Sequence, residues 1–326
     1  MPSKCWCNNT QFLPYAKEYD RCGSCDTLVN RRDFTEAIYD IKNEDTDLYG
    51  LNYWQEHFLK LAKVPTLADL HDIYLTGRCL YWLQCLMTYA LPPASVMEIG
   101  CGVGQMPYIT KQAGYKQLGV ELSPEVCTYA RQTFDVDMHC GTFETVEGVF
   151  DAILLFDLLE HMIDPIEFLQ KLAKKATPNT ILLIQTPCYS PAYTYEQMKT
   201  DIPHFEWLMT ADEHIWLFSR EAVKAMLQQT GFSYMEFIPA FHGDDYDMFL
   251  VASQSPIKKP TSHNMMDALT GQPSGWLVRA MMKMKEAQLP VNDENIPSYH
   301  RLAHAVKHSR WIKLGRKLGL LKGLSV

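Results

Sequence analysis

At 326 residues, 47% apolar and 21% charged, the chain is long enough for one sizeable core with appendages, and no run approaches the roughly 18 apolar residues of a membrane span. The net charge of −8 understates the acidity of the main body, because residues 1–300 hold 23 basic against 38 acidic side chains while the last 26 residues carry seven Lys/Arg and no acid. This balance argues against a nucleic-acid partner, and the opening MPSKCWCNN lacks the apolar core of a signal peptide, so the expected compartment is the cytoplasm.

The first feature along the chain is a cysteine cluster. Cys5 and Cys7 form a C-x-C pair, Cys22 and Cys25 a C-x2-C pair, and 14 residues separate them. Reduced thiolates at this spacing close a tetrahedral Zn2+ site, which supplies the folding energy that a segment poor in aliphatics lacks. Residues 1–50 are thus expected to be a zinc-binding segment, the alternative being four unlinked thiols. Cys79, Cys85, Cys101, Cys127, Cys140 and Cys188 are read as small core hydrophobes.

Residues 67–90 have helical periodicity and stop at Leu91-Pro92-Pro93. The pattern then changes to short apolar runs at 95–99, 117–121, 136–140, 151–156, 180–185, 232–238 and 246–252, with helical patterns at 105–113, 123–133, 165–175 and 220–229. Strands alternating with helices predict a parallel α/β sheet. Ser123-Pro124 and Asp164-Pro165 each place a capping residue before a proline at the first helical position, and Glu167 completes a capping-box pattern with Asp164. No helical pattern separates the last two runs, so they form a hairpin that adds an antiparallel strand at the sheet's end.

The stretch VMEIGCGVGQ, residues 96–105, carries Gly100, Gly102 and Gly104 directly after an apolar run, with Glu98 inside it. A dinucleotide loop seats a pyrophosphate at a helix N-terminus. A carboxylate beside the loop repels that anion and suits an amino-acid ammonium. Glu121 in GVELS, at the end of the next strand, is placed to accept both ribose hydroxyls. A cationic, ribose-bearing cofactor without phosphates satisfies these features, and S-adenosylmethionine is one.

With these motifs, and with FDAILLFDLLEHMIDP, TPNTILLIQTP and the final hairpin, residues 67–252 resemble the class I S-adenosylmethionine-dependent methyltransferases. The resemblance implies a Rossmann-like α/β sheet with an antiparallel last strand and the cofactor at its switch point. It further implies that Leu122 packs on adenine, that Thr142 and Phe143 present backbone to the adenine edge, and that Asp157 lies on the cofactor's side of the fourth strand. The cysteine pairs before GLNYWQEH, and EHIWLFS before the last helix, resemble the zinc-bearing methyltransferases of sugar and polysaccharide pathways, including sugar C-methyltransferases. Those C-methyltransferases carry a large second α/β domain, whereas about 70 residues remain here. Methylation of a sugar or glycan hydroxyl is therefore the first expectation. The second is a small-molecule O-methyltransferase acting on a phenol- or quinone-like acceptor, whose relatives in some cases recruit a divalent ion near the positions of Glu160 and His161. A non-catalytic scaffold is disfavoured by the intact glycines and acidic positions.

Methyl transfer from a sulfonium is an in-line displacement, so positioning in a dry site and a base for the departing proton are what the protein must supply. His161, after the fourth strand, is the first candidate base, and His214 the second. Tyr53 and His57 are further side chains in reach from the N-terminal side. Residues 187–218 contain seven aromatics and are read as a substrate cover within a methyltransferase domain spanning 51–254. The extension 255–326 ends in a basic amphipathic helix built on Trp311, Leu314, Leu318 and Leu321, suited to docking on the acidic body or to lying on an anionic membrane.

Overall fold

The computed structural model describes residues 4–202 and 205–288. The tail helix expected around Trp311 therefore lies outside the described residues, as does the side chain of His57. In chain order the strands are β1 (Phe12–Pro14), β2 (Tyr19–Cys22), β3 (Leu28–Asn30), β4 (Ser95–Ile99), β5 (Lys116–Glu121), β6 (Met138–Cys140), β7 (Phe150–Phe156), β8 (Ala176–Pro187), β9 (Trp216–Leu217), β10 (Tyr234–Ile238) and β11 (Asp247–Ser253). The helices are α1 (Leu59–Ala62), α2 (Leu67–Tyr74), α3 (Leu80–Met87), α4 (Gln105–Gln112), α5 (Pro124–Phe134), α6 (Pro165–Leu172), α7 (Tyr195–Asp201), α8 (Arg220–Gln229), α9 (Ser262–Ala268) and α10 (Pro273–Gln288).

The main sheet runs β10-β11-β8-β7-β4-β5-β6. β8, β7, β4, β5 and β6 are parallel, and the closing hairpin sets β11 antiparallel to β8. The inner stretches of β7 and β8, Ala152–Phe156 and Ile181–Ile184, are apolar because both faces are covered. Alternate residues of β7 serve opposite cores: Ile153 and Leu155 pack with Phe168, Leu169, Val223 and Met226 of α6 and α8, while Ala152 and Leu154 pack with Leu80, Leu83, Met106 and Ile109 of α3 and α4. Helix starts follow the predicted caps. Ser123 Oγ accepts from the Val126 amide at 3.0 Å and Asp164 Oδ1 from the Glu167 amide at 2.9 Å.

The helical stretch 67–90 is broken by a π-turn over Leu75–Cys79, which periodicity alone does not reveal. A second, antiparallel sheet, β1-β2-β3-β9, joins the cysteine-bearing segment to the aromatic insert, since Val29 of β3 pairs with Trp216 of β9. Cys5, Trp6, Cys22 and Val29 belong to the same core as β4 and β7, so this small sheet is packed onto the main one. α10 buries Val278 and Met282 in the opposite core, and Gln272 before it donates to the carbonyls of Lys111 and Gln112. Cys140 departs from the core expectation: it sits exposed at the end of β6, where the sheet has no further strand to cover it.

Candidate functional site

The glycine loop leaves β4 with Gly100, Gly102 and Gly104 at φ of 71°, 53° and 91°, a region that side chains with a Cβ rarely adopt. At Gly104 a Cβ would stand 2.9 Å from that of Ala130, so this glycine lets α4 and α5 approach. At Gly102 it would meet the Trp54 indole at 2.3 Å. A strap over residues 44–58 therefore lies on the loop. Glu44 secures that strap to the start of α5, its carboxylate accepting from Ser123 Oγ at 2.6 Å and from the Leu51 and Glu125 amides.

Glu121 ends β5 and is buried. One carboxylate oxygen accepts from the Gly102 amide at 3.0 Å, the other from the Leu122 and Ser123 amides at 2.7 and 3.2 Å. These amides stabilise the charge that burial disfavours. A carboxylate offers about four acceptor sites, so capacity for a ribose hydroxyl remains. Glu98 is buried with Oε2 lacking any partner, and burial pushes its carboxyl up to about 8, with Glu121 adding to the rise and Arg78 opposing it. A buried carboxyl that lacks a donor fits the amino-acid end of the expected cofactor. Phe143 turns its ring into the core against Phe168, leaving its backbone as the part available to an adenine edge, and Thr142 precedes it in the turn.

Asp157, at φ 51° after β7, is held by Arg78 Nη1 at 3.0 Å and by Gln185 Nε2 at 2.9 Å, while Trp82 Nε1 donates to Gln185 Oε1. Asp247 at the start of β11 is 3% exposed with Oδ2 unpartnered, and its pKa is driven well above the usual range by burial and by Asp157. None of Arg78, Gln185 and Asp247 stands in a recognisable motif, and no local signal marks them.

His161 and His214 are brought together, with ring centroids 4.8 Å apart. The Ile215 amide donates to the Glu160 carbonyl, and Tyr19 Oη and Asn30 Nδ2 both donate to the His214 carbonyl, so the insert is pinned between the turn after β7 and the N-terminal sheet. His161 Nδ1 lies 3.0 Å from the Glu213 carbonyl, and His214 Nδ1 lies 2.7 Å from that of Leu208. A carbonyl only accepts, so each Nδ1 carries the proton and each Nε2 the lone pair. The Tyr49 hydroxyl, 3.0 Å from His161 Nδ1, completes the orientation. Glu160 is fully buried: Oε2 accepts from Thr186 Oγ1 at 2.9 Å, whereas Oε1 lacks a partner and stands 4.0 Å from His161 Nε2. Ligand atoms of Glu160, His161 and His214 thus lie within 4.8 Å of one another. Burial and then His214 press His161 down to about 3, which keeps its imidazole neutral.

A family model described as a methyltransferase domain matches residues 71–236, just over half of the chain. The chain belongs to the methyltransferase-domain family. Residues 71–236 are thus a methyltransferase domain. The methyltransferase is 30% identical over 112 residues, 32% of its own length and 47% of the relative's, to a ubiquinone biosynthesis O-methyltransferase of Xanthomonas campestris pv. campestris. It is 29% identical over 104 residues, 28% and 35% of the two lengths, to norajmaline N-methyltransferase of Rauvolfia serpentina. The chain thus spans about half or less of the curated relatives it matches. Among solved structures, magnesium protoporphyrin IX methyltransferase from Synechocystis with bound S-adenosylmethionine superposes with a TM-score of 0.43 at 17% identity, over 69% of this chain and 100% of that one. A possible histamine N-methyltransferase of Thermotoga maritima gives 0.44 at 18%, over 58% and 96%.

The methyltransferase's N-terminal thiols form a separate cluster. Cys5 Sγ lies 3.6 Å from Cys25 Sγ and Cys7 Sγ 3.6 Å from Cys22 Sγ, with all four sulfurs within 4.8 Å and none in a disulfide. Sulfurs about 2.3 Å from a central tetrahedral ion stand about 3.8 Å apart, so the spacing fits one. Asn9 Nδ2 and the Ser24 amide, at 3.3 and 3.5 Å from Cys22 Sγ, are the N–H donors that a thiolate attracts.

Proposed function

We propose that this methyltransferase moves the methyl group of S-adenosylmethionine onto a hydroxyl oxygen of a small acceptor received at Glu160, His161 and His214. The observation that carries this reading is the convergence of one unpartnered carboxylate oxygen and two imidazoles, both oriented by carbonyls, beside the end of β7. Glu121 binds ribose, Glu98 faces the ammonium, and Leu122, Thr142 and Phe143 surround the adenine, while Asp157 and Arg78 close the amino-acid end. The strap with Tyr49, Tyr53 and Trp54 keeps water from the site, which favours in-line displacement.

A histidine held near 3 is a weak proton acceptor, so His161 suits a neutral ligand role better than that of an unaided base. The donor set fits a divalent cation, with Glu160, His161 and His214 as the residues that would hold it. Bound there, such an ion supplies Lewis acidity that lowers the pKa of a hydroxyl. Two acceptor classes offer the adjacent oxygens this arrangement receives. A catechol-like ring is supported by the O-methyltransferase relative named for ubiquinone biosynthesis; a sugar or glycan diol is supported by the cysteine-bearing segment joined to the insert. We favour the ring for its agreement with that relative. A structural zinc ion at Cys5, Cys7, Cys22 and Cys25 completes the proposal.

Transfer of labelled methyl to a panel of catechols, free sugars and nucleotide-linked sugars, before and after EDTA, is the test. Product on a catechol that is lost to EDTA and restored by Mg2+ or Mn2+ supports the reading. Product on sugars alone, indifferent to chelation, overturns both the acceptor class and the cation.

A further inference from the structure

Lys285 on α10 is 8% exposed, and among the described residues no carboxylate lies within ion-pair distance of its Nζ. An unpaired buried ammonium is costly, so its contacts must account for its position. Nζ donates to the Gly77 carbonyl at 3.0 Å and sits 5.3 and 5.5 Å from the ring centroids of Tyr81 and Phe241. Gly77 lies inside the π-turn Leu75–Cys79, and its carbonyl, which accepts from the Leu80 amide, takes the Lys285 ammonium as a second donor and so ties the turn to α10.

The next residue on that turn is Arg78. Its guanidinium lies 4.1 Å from the Tyr74 ring centroid and 4.7 Å from that of Trp82, and it reaches Asp157 at 3.0 Å. A regular helix would carry position 78 to a different angle about the axis, so the turn is what aims Arg78 at the strand ends. We propose that Lys285, from the C-terminal extension, is a positioning residue of the methyltransferase site: it stabilises the π-turn and so holds Arg78 against Asp157. The depressed pKa of Lys285, about 8 through burial, agrees with a lysine kept in place without a counter-ion. The inference rests on reading Arg78 and Asp157 as the wall beside the cofactor's amino-acid end. It makes α10 part of the site through the turn that Lys285 supports.

The test uses the full chain and S-adenosylhomocysteine as probe, by calorimetry. Lys285→Met should weaken binding about tenfold, the scale of one hydrogen bond to a charged group, with an undiminished melting midpoint because a buried charge has been removed. Lys285→Arg should recover most of the affinity. On an Arg78→Gln background the Lys285→Met change should add less than about twofold, since both act through one group. Wild-type affinity in Lys285→Met, or full additivity with Arg78→Gln, would overturn the proposal. If the unaltered protein binds no S-adenosylhomocysteine, the cofactor reading fails, and amide exchange over residues 75–80 then decides. Faster exchange in Lys285→Met supports the link to the turn, and unchanged exchange refutes it.

Discussion

A carboxyl held near 8 behaves differently from one in water, and Glu98 is such a group. Its folded pKa lies above the unfolded value of about 4.5, so its contribution to stability is fully present below that value and is lost as pH rises through about 8. An ammonium bound beside it reverses that loss by stabilising the charged form. The rise in melting temperature produced by S-adenosylmethionine should therefore grow between pH 6 and pH 8.5, measured by differential scanning fluorimetry. Glu98→Gln should flatten the trend, and an equal or shrinking rise in the unaltered enzyme would show that Glu98 does not face the ammonium. At the other end of the pocket, His161→Ala should lower kcat at least about tenfold with S-adenosylhomocysteine affinity nearly unchanged, since His161 is proposed to receive the acceptor. Parallel loss of cofactor binding would place it in the cofactor pocket instead.

Among the elements, β9 is only two residues long, yet it ties the cysteine-bearing sheet to the segment carrying His214. Tyr19 and Asn30 of that sheet donate to the His214 carbonyl, and Tyr39 Oη donates to that of His161. Loosening the cysteine cluster should thus reach the acceptor side but not the glycine loop. Cys22→Ser is expected to release about one equivalent of zinc by elemental analysis and to lower acceptor turnover, while S-adenosylhomocysteine affinity stays largely intact. Freshly purified protein without zinc would remove the metal from this account. The main sheet was legible because its strands are buried on both faces and so read as short apolar runs: Ala152–Phe156 and Ile181–Ile184 are uninterrupted, and Val96–Ile99 is broken only by Glu98. β9 was not, because its two residues pair with a partner nearly 190 positions away and carry no local period.

The same division holds across the whole molecule. Glu98, the three glycines and Glu121 stand in one contiguous stretch and the strand after it, where spacing carries chemistry; His161 and His214 each stood out in a short motif as alternative bases, and their pairing did not. Arg78, Gln185 and Asp247 converge from a π-turn, the end of β8 and the start of β11, and Lys285 arrives from α10, which packs in the same core as the helix following that turn. Their meeting is a property of the tertiary fold. The tail beyond residue 288 adds a basic, amphipathic stretch to an acidic body. A chain ending at Pro297 should pellet with anionic liposomes less than the full-length protein if that stretch lies on membranes, and equally if it does not.

The loop, Glu98 and Glu121 are proposed to form a site for S-adenosylmethionine, and titration calorimetry on the full chain reads that binding without any acceptor. One site should bind S-adenosylmethionine or S-adenosylhomocysteine and ignore NADH. Glu121→Ala should weaken that binding about tenfold or more, since it removes hydrogen bonds to a charged group worth roughly 1.5 to 3 kcal/mol. Binding of NADH without S-adenosylmethionine, or unchanged affinity in Glu121→Ala, would contradict it.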